Sequence, residues 1–252
     1  MWLKRNIPNF LTCMNLVCGC VAIHFLYGGH LVTATWLVLA AAAFDFSDGF
    51  VARLLHVKSE IGKQLDSLAD VISFGLAPGV AMFMLLQLSL SAWPVGLPSY
   101  TPFLAFIIPA FSAVRLAIFN VDERQTSSFR GLPTPANGIL IMSLLPLISK
   151  QYLSPLFPWN DYLFFFILHP AILISGTLLL SFLLVSNVPL FAMKFSGFGW
   201  KGNQLRYIFI ITSLVLIVLF YFVAVPMVIL LYIVLSLFQY KSLKSAEQKS
   251  AE

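Results

Sequence analysis

The sequence predicts an all-α, polytopic membrane protein with about eight transmembrane helices. Of its 252 residues, 60% are hydrophobic and only 10% are charged, which is a composition typical of membrane proteins. Apolar runs of roughly 20 residues, the length of helix that crosses a bilayer, recur almost to the end of the chain. The runs lack the alternating pattern of a barrel strand, and a lipid-embedded backbone must satisfy its own hydrogen bonds, so helices are predicted throughout.

The first four predicted spans cover about 7–27, 31–55, 64–90 and 102–122. The first follows Met-Trp-Leu-Lys-Arg and lacks a small-residue cleavage site, so we expect a retained helix. Spans two and three are joined by a short polar segment from His56 to Lys63 and are therefore predicted to run antiparallel. The segment from Ser89 to Thr101 carries no charge, as expected for an outer loop.

The last four predicted spans cover about 134–152, 164–186, 206–223 and 225–241. The final two form one apolar stretch of about 35 residues, which is too long for a single crossing. Ala224-Val225-Pro226 interrupts it, so a tight hairpin is predicted there. Residues 1–241 are thus expected to form a single transmembrane domain, and residues 242–252 a polar cytoplasmic tail.

The basic residues predict the orientation of these spans, because short loops rich in Lys and Arg stay in the cytoplasm. With both termini inside, only Lys150 of the 15 basic residues falls on the outer side. The net charge of +5 follows from this bias, and the inner cations face anionic lipid headgroups. No nucleic-acid partner is needed to explain it. Cys13, Cys18 and Cys20 all lie in the first span, where they are interpreted as packing residues.

Four of the ten acidic residues, Asp45, Asp48, Asp66 and Asp70, lie in or beside spans two and three. An aspartate at the bilayer centre costs at least about 2.5 kcal/mol, so such residues normally face a partner, an ion or water. Asp45 and Asp48 share a face of one helix, as do Asp66 and Asp70 on the next. The antiparallel arrangement brings all four carboxylates together near the cytoplasmic surface.

Converging carboxylates remain ionised only if something offsets their repulsion, and hard divalent cations do so. Two such ions would suit phosphate chemistry. Two alternatives are a structural network with Arg53, Lys58 and Lys63, and an ion pathway through the membrane. Small residues beside the acidic face, Gly49, Ala52 and Gly62, leave room for a ligand to approach the backbone, although helix packing is the usual role of such residues.

The segment Asp45-Phe-Ser-Asp48-Gly49-Phe-Val-Ala52-Arg53, followed by eight residues and then Gly62-Lys-Gln-Leu-Asp66-Ser-Leu-Ala-Asp70, resembles the signature of the CDP-alcohol phosphotransferase family. All eight specified positions match, which makes the pattern highly specific. The resemblance implies a helical membrane enzyme, usually a homodimer, with a polar cavity open to the cytoplasm and two divalent cations, magnesium or manganese.

The resemblance also implies the roles of the individual residues in the signature. The four aspartates would bind the cations, and Asp70 would also act as the general base. The cytidine diphosphate of the donor would be lined by Gly49, Ala52, Arg53 and Gly62, with Arg53 meeting phosphate.

Further segments are similar to the phosphatidylserine synthase branch of that family. The first runs from Asn6 to Gly19 and includes Asn9, Thr12 and Asn15; the others are 70–79, 115–120 and 129–136. The resemblance implies that CDP-diacylglycerol donates a phosphatidyl group to L-serine, releasing cytidine monophosphate, at a bacterial inner membrane with the site facing the cytoplasm. The branch often has a second arginine where this chain has Ile118.

Three residues outside the signature are candidates for the acceptor or a phosphate. Arg115 either anchors a carboxylate or phosphate or balances an aspartate. Arg130 is either a phosphate ligand or an ordinary cytoplasmic loop charge. Ser73 either touches the acceptor or serves helix packing. Glycerol 3-phosphate and an inositol phosphate remain alternative acceptors, and an ion-coupled transporter is a remote alternative, for which no second copy of the aspartate motif is found.

Overall fold

The computed structural model describes residues 2–57, 59–121, 129–149, 160–186, 188–190 and 203–251. In chain order the α-helices are α1 (Trp2–Tyr27), α2 (Leu31–Leu54), α3 (Glu60–Asp70), α4 (Ala77–Ala92), α5 (Ile107–Val121), α6 (Thr134–Ile148), α7 (Asn160–Ile167), α8 (Pro170–Val185), α9 (Gln204–Phe220) and α10 (Ala224–Ala251). A π-helix, Val71–Leu76, joins α3 to α4, and 3-10 turns, Thr101–Phe106 and Tyr221–Val223, precede α5 and α10. The predicted helical fold class is confirmed.

Two short strands, β1 (Phe129–Arg130) and β2 (Pro189–Leu190), pair antiparallel between the helices. Gly131 follows β1 with a φ of +75°. A Cβ at this position would lie 2.6 Å from the carbonyl oxygen of Leu184. Glycine is therefore required where the chain turns from the ribbon into α6.

Four helical stretches among the described residues are long and apolar enough to cross a membrane: Asn6–Tyr27, Glu60–Ala92, Thr101–Val121 and Gln204–Ser236. Thr134–Ile148 and Pro170–Val185 are shorter apolar helices. Large apolar side chains are exposed on many of these helices, for example Phe182, Val218 and Leu230. Such an outward apolar surface fits a helix bundle in lipid, where the hydrocarbon chains replace water as the surrounding solvent.

The core lies where α1, α2, α4, α6 and the π-helix meet. Phe74, in the π-helix, is fully buried there together with Leu26, Val38, Leu85 and Ile141. Gly138 of α6 allows this close packing, because a Cβ at that position would lie 3.0 Å from the Cα of Phe74. The core therefore forms around the segment that directly follows Asp70.

The π-helix between α3 and α4 has a local cause in the sequence. Pro78 has no backbone N–H, so it cannot donate the helical hydrogen bond to the carbonyl of Phe74. The chain instead widens by one residue, and the amide of Ala77 donates to the carbonyl of Ile72, five residues back. Single-turn π-helices are frequent at functional sites, and this one begins directly after Asp70.

The predicted hairpin near residue 224 is present, and it turns slightly earlier. Phe209 of α9 and Tyr232 of α10 have ring centroids 5.7 Å apart although 23 positions separate them in the sequence. Only a chain that folds back can bring them together, since 23 residues of straight helix would span about 35 Å. The turn occupies Tyr221–Val223, where Tyr221 has a φ of +49°, so α10 begins at Ala224 and contains Pro226.

Two other boundaries differ from the predicted ones. The predicted span at 164–186 is divided into α7 and α8, because Pro170 starts a new helix and His169 before it has extended backbone angles. The last helix, α10, continues to Ala251, so the predicted tail is helical in backbone. Five basic residues whose side of the membrane is predicted from the sequence lie outside the described residues: Lys58, Arg124, Lys150, Lys194 and Lys201.

Candidate active site

Three aspartate side chains meet between α2 and α3. Asp45, Asp48 and Asp66 each offer a carboxylate oxygen, and these oxygens all lie within 4.8 Å of one another. Asp48 is 7% exposed, and the other two are half-buried. The convergence predicted from the helical spacing is thus found for three of the four aspartates.

The turn between α2 and α3 sets this arrangement. His56 has a φ of +54° just after α2 ends, and the Ser59 hydroxyl then caps α3 by accepting a hydrogen bond from the Gly62 amide at 3.1 Å. A serine N-cap satisfies one of the free amides of the first turn and fixes where the helix starts. The aspartates of α3 therefore return alongside those of α2.

The surroundings of these three aspartates fit a divalent cation. Oδ1 of Asp66 is buried and has no hydrogen-bond partner among the described residues. Carboxylates that share one hard cation bind it at about 2.0–2.6 Å, which keeps their oxygens within about 4–5 Å of one another. The donor set is all oxygen, as Mg²⁺ and Mn²⁺ prefer. Asp45, Asp48 and Asp66 are therefore called the metal triad below.

Asp70 lies one turn beyond Asp66 but does not belong to the metal triad. It is 6% exposed, and its Oδ1 accepts a hydrogen bond from Nδ2 of Asn15 at 3.1 Å. Of the four predicted ligands, three form one cluster, and the fourth, Asp70, is held by α1 and interacts electrostatically with the other three.

The first helix contributes site residues that the sequence interpretation did not place there. Asn9, Thr12, Asn15 and Gly19 follow one another at intervals of three or four residues, so they share one face of α1. The Thr12 hydroxyl donates to Oδ2 of Asp48 at 2.5 Å. In the sequence, the signal for this polar face is the helical spacing of polar residues in an otherwise apolar span. From the sequence alone, these residues contribute only to the resemblance to the phosphatidylserine synthase branch.

A cavity of about 320 Å³ opens beside the metal triad. It is lined by Pro8, Asn9, Thr12, Asp48, Gly49, Ala52, Val57, Ser59, Glu60, Gly62, Lys63 and Asp66. Three of the four predicted donor-site residues therefore line one cavity. Arg53, the fourth, is exposed in the last turn of α2 and is not part of this lining.

The small residues of the cavity have different neighbours. A Cβ added to Gly49 would have no heavy atom within 4 Å, so this glycine faces open space. A Cβ added to Gly62 would lie 2.9 Å from Oδ1 of Asn9. Gly49 thus leaves room in the cavity, whereas Gly62 makes room for the Asn9 side chain.

Lys63 connects the cavity wall to the end of α5. Its Nζ donates to the carbonyl of Asn120 at 2.9 Å, and the Asn120 side chain donates to the Ser67 hydroxyl at 2.7 Å. These bonds hold the end of α5 against α3. The second bond reaches Ser67, which lies between Asp66 and Asp70 on that helix.

The three acceptor candidates have different positions. Arg115 is 8% exposed, donates from Nε to the carbonyl of Leu132 at 2.9 Å and interacts electrostatically with Asp70. Ser73 is fully buried and donates to the backbone carbonyl of Asn15 at 2.9 Å. The backbone of Arg130 pairs with Pro189 in the strand ribbon, and its side chain lies outside the described part of the structure.

Comparison with known proteins gives a consistent family. The sequence model described as CDP-alcohol phosphatidyltransferase matches residues 5–180. The chain is 30% identical over 187 residues to the CDP-diacylglycerol–serine O-phosphatidyltransferase of Bacillus subtilis, covering 72% of this chain and 88% of that protein.

Enzymes of the same name from two other bacteria are also similar. The Helicobacter pylori enzyme is 34% identical over 147 residues, covering 58% of this chain and 59% of that protein. The Mycobacterium leprae enzyme is 32% identical over 191 residues, covering 73% and 57%. The alignments thus span less than two thirds of each of these two proteins. The family match over residues 5–180 includes every residue of the metal triad and the cavity, and the chain belongs to the CDP-alcohol phosphatidyltransferase family.

Proposed function

We propose that this protein is a CDP-diacylglycerol–serine O-phosphatidyltransferase, which transfers the phosphatidyl group of CDP-diacylglycerol to L-serine and releases cytidine monophosphate. The main support is the metal triad, which lies beside a cavity lined by Gly49, Ala52 and Gly62. The names of the similar proteins from B. subtilis, H. pylori and M. leprae specify the donor and the acceptor for those enzymes. The transferred group and the acceptor are extended to this chain on that basis.

The donor would bind with its diphosphate at the metal triad. Asp45, Asp48 and Asp66 would hold two divalent cations, magnesium or manganese, with Asp70 as a further ligand. When bound, such cations neutralise diphosphate charge and stabilise the departing cytidine monophosphate. Gly49 and Ala52 leave space for the nucleotide, and the exposed guanidinium of Arg53 would reach phosphate from the rim of the cavity.

Asp70 would act as the general base toward the acceptor. A base must come within about 3 Å of the hydroxyl proton that it removes. As Asp70 takes that proton, the serine oxygen bonds to the lipid-side phosphorus, and the bond from this phosphorus to the bridging oxygen of the diphosphate breaks. Arg115, which interacts with Asp70, would orient the serine carboxylate or the lipid phosphate, with Ser73 and Arg130 as further candidates.

The membrane arrangement proposed with this function has eight spans, both termini in the cytoplasm, and the site on the cytoplasmic side. Its support is the charge bias of the sequence together with the antiparallel contact of α9 and α10. Residues 1–241 would form the catalytic domain, and the protein would be a homodimer in a bacterial inner membrane. The acyl chains of the donor would then remain in the inner leaflet while its headgroup reaches the metal triad.

The nearest rival keeps the same chemistry and changes the acceptor to glycerol 3-phosphate or an inositol phosphate. A phosphorylated acceptor would need several cations around its binding site. Among the described residues, Arg115 is the buried arginine of the site, and Ile118 stands one turn further along α5. Because the phosphatidylserine synthase branch often has a second arginine at the position of Ile118, this count does not distinguish the acceptors, and the support for serine is the names of the similar enzymes.

The experiment that tests the proposal measures cytidine monophosphate released by the purified protein from CDP-diacylglycerol. L-Serine, glycerol 3-phosphate and inositol phosphate are supplied separately, each with magnesium, with manganese and with EDTA, and the lipid product is identified. Metal-dependent release with serine alone, together with phosphatidylserine, is expected. Release with another alcohol alone would overturn the serine assignment, and no release with any acceptor from folded, metal-loaded protein would overturn the transferase itself.

A further inference from the structure

We propose that Asn15 of α1 is a positioning residue for Asp70, holding its carboxylate in place for proton removal, separately from the metal triad. The inference rests on the proposed function, because it assumes that Asp70 acts on the acceptor hydroxyl. Neither the family signature nor the roles assigned above include Asn15. The evidence for the inference is the set of contacts that α1 makes with Asp70 and with Ser73, which follows it in the chain.

The side chain of Asn15 fixes one oxygen of Asp70. Its Nδ2 donates to Asp70 Oδ1 at 3.1 Å, and both residues are buried. A carboxylate that accepts a hydrogen bond from a fixed amide loses rotational freedom, and its second oxygen is directed to the other side. Orientation of this kind is the usual contribution of groups behind a reacting residue.

The backbone of Asn15 is itself fixed by the π-helix that follows Asp70. The Ser73 hydroxyl donates to the Asn15 carbonyl at 2.9 Å. One turn further along α1, Gly19 lies so close to Ser73 that a Cβ on it would approach the Ser73 Cα to 2.8 Å. Asn15 is therefore linked to Asp70 by its side chain and to Ser73 by its main chain, so α1 is hydrogen-bonded to the Asp70 turn at two points.

The two ends of the Asn15 side-chain amide differ in their partners. Its Oδ1 is buried and has no hydrogen-bond partner among the described residues. An unpaired buried polar atom is unfavourable, so the bond that Nδ2 donates to Asp70 is the interaction that favours asparagine at this position.

The test compares Asn15→Leu with a matched control. Leucine has the same four-atom branching pattern as asparagine but two methyl groups in place of the amide. Thr35→Val is the control, because Thr35 is also buried and donates a hydrogen bond between helices, from its hydroxyl to the Met142 carbonyl at 2.9 Å, away from the aspartates. Each purified variant is measured for kcat, for the KM of serine and of CDP-diacylglycerol, for Mn²⁺ affinity by electron paramagnetic resonance, and for thermal unfolding.

Asn15→Leu is expected to lower kcat by about 10- to 100-fold, the range typical of positioning residues, with the KM of CDP-diacylglycerol and the Mn²⁺ affinity within about threefold of wild type. Thr35→Val should keep kcat within about twofold. A double-mutant cycle with Asp70→Asn gives the decisive result: if Asn15 acts through Asp70, Asn15→Leu has little further effect once Asp70 is replaced.

Three results would overturn the inference. They are unchanged kcat in Asn15→Leu, a loss of Mn²⁺ affinity parallel to the loss of kcat, and an effect of Asn15→Leu that remains full in the Asp70→Asn background. All three require a wild-type protein that releases cytidine monophosphate. A wild-type protein that releases none with any acceptor would instead overturn the proposed function, and this inference with it.

Discussion

Asp66 and Asp70 lie one turn apart on α3, yet their side chains have different neighbours. Asp66 has a buried oxygen without a hydrogen-bond partner among the described residues and faces Asp45 and Asp48. Asp70 accepts a hydrogen bond from Asn15. We expect this difference to correspond to the proposed division of labour, in which the metal triad would bind cations and Asp70 would act on the acceptor.

Asparagine substitutions at these two positions should separate the two roles. Asp66→Asn removes a charged ligand, so Mn²⁺ affinity should fall by at least about 10-fold, together with turnover. Asp70→Asn should lower Mn²⁺ affinity less than Asp66→Asn does, while kcat falls by about 10²- to 10⁴-fold, the usual contribution of a general base. The measurements are Mn²⁺ titration by electron paramagnetic resonance and release of cytidine monophosphate.

An equal loss of Mn²⁺ affinity in Asp66→Asn and Asp70→Asn would contradict this division, because Asp70 would then contribute as much to metal binding as Asp66. Near-normal turnover of Asp70→Asn with metal bound would contradict it as well. Thr35→Val, which breaks a buried hydrogen bond elsewhere, controls for a general loosening of the helix bundle.

The aspartates of the site could be predicted from the sequence, whereas the part played by α1 could not. Carboxylates in apolar spans are costly, so the spacing of Asp45 and Asp48 and of Asp66 and Asp70 indicates a site without further information. Asn15 and Thr12 are neutral, and such residues in membrane helices serve packing and interhelical bonds equally well. Only the three-dimensional contacts distinguish these uses.

At the scale of elements, two helical glycines show how the same residue can serve a ligand or the fold. Gly49 of α2 faces open space in the cavity, and Gly19 of α1 is pressed against Ser73 of the π-helix. The first leaves room in the cavity, where the donor is proposed to bind, while the second allows α1 to approach the Asp70 turn.

Alanine at these positions should therefore have opposite effects. Gly49→Ala should unfold at the wild-type temperature or slightly above, since alanine stabilises a helix by about 0.5–1 kcal/mol relative to glycine, while the KM of CDP-diacylglycerol rises roughly 10-fold because a methyl group enters the cavity. Gly19→Ala should be destabilised by about 1–3 kcal/mol through overpacking. Thermal unfolding in detergent and steady-state kinetics measure both effects.

Gly176→Ala is the control for Gly19→Ala, because Gly176 in α8 also has no neighbour within 4 Å of an added Cβ and should tolerate alanine. Equal stability of Gly19→Ala and Gly176→Ala would show that α1 and the π-helix are less tightly packed than described. A lower melting temperature for Gly49→Ala would show that Gly49 is part of the packing.

Helix boundaries could be predicted where the sequence marks them and were missed where the cause is local geometry. The apolar runs of about 20 residues predict the helices but give no sign of the π-helix, since its cause is the missing amide of Pro78 and the resulting bond from Ala77 to Ile72. The break before Pro170 was available in the sequence, because the residue before a proline avoids helical angles. The hairpin between α9 and α10 could be predicted from the length of the apolar stretch and from its interruption at Ala224-Val225-Pro226.

At the scale of the whole molecule, the continuous helical stretch Glu60–Ala92 connects the site to the segment before Thr101. At about 1.5 Å per residue its 33 residues extend about 50 Å, more than the roughly 30 Å of hydrocarbon. One end lies beside the metal triad, and the other leads into the uncharged segment before Thr101. If the stretch crosses the membrane, these two ends must lie on opposite sides.

Single-cysteine labelling of bacterial cells that express the protein tests this orientation. Cys13, Cys18 and Cys20 are first replaced by alanine, and Gln64 or Ser99, both exposed, is then changed to cysteine. We expect an impermeant maleimide to label Ser99→Cys in intact cells and Gln64→Cys only after permeabilisation, because loops rich in Lys and Arg stay inside. The reverse pattern would place the site outside, where a cytoplasmic donor could not reach it, and labelling of both from one side would show that Glu60–Ala92 does not span the membrane.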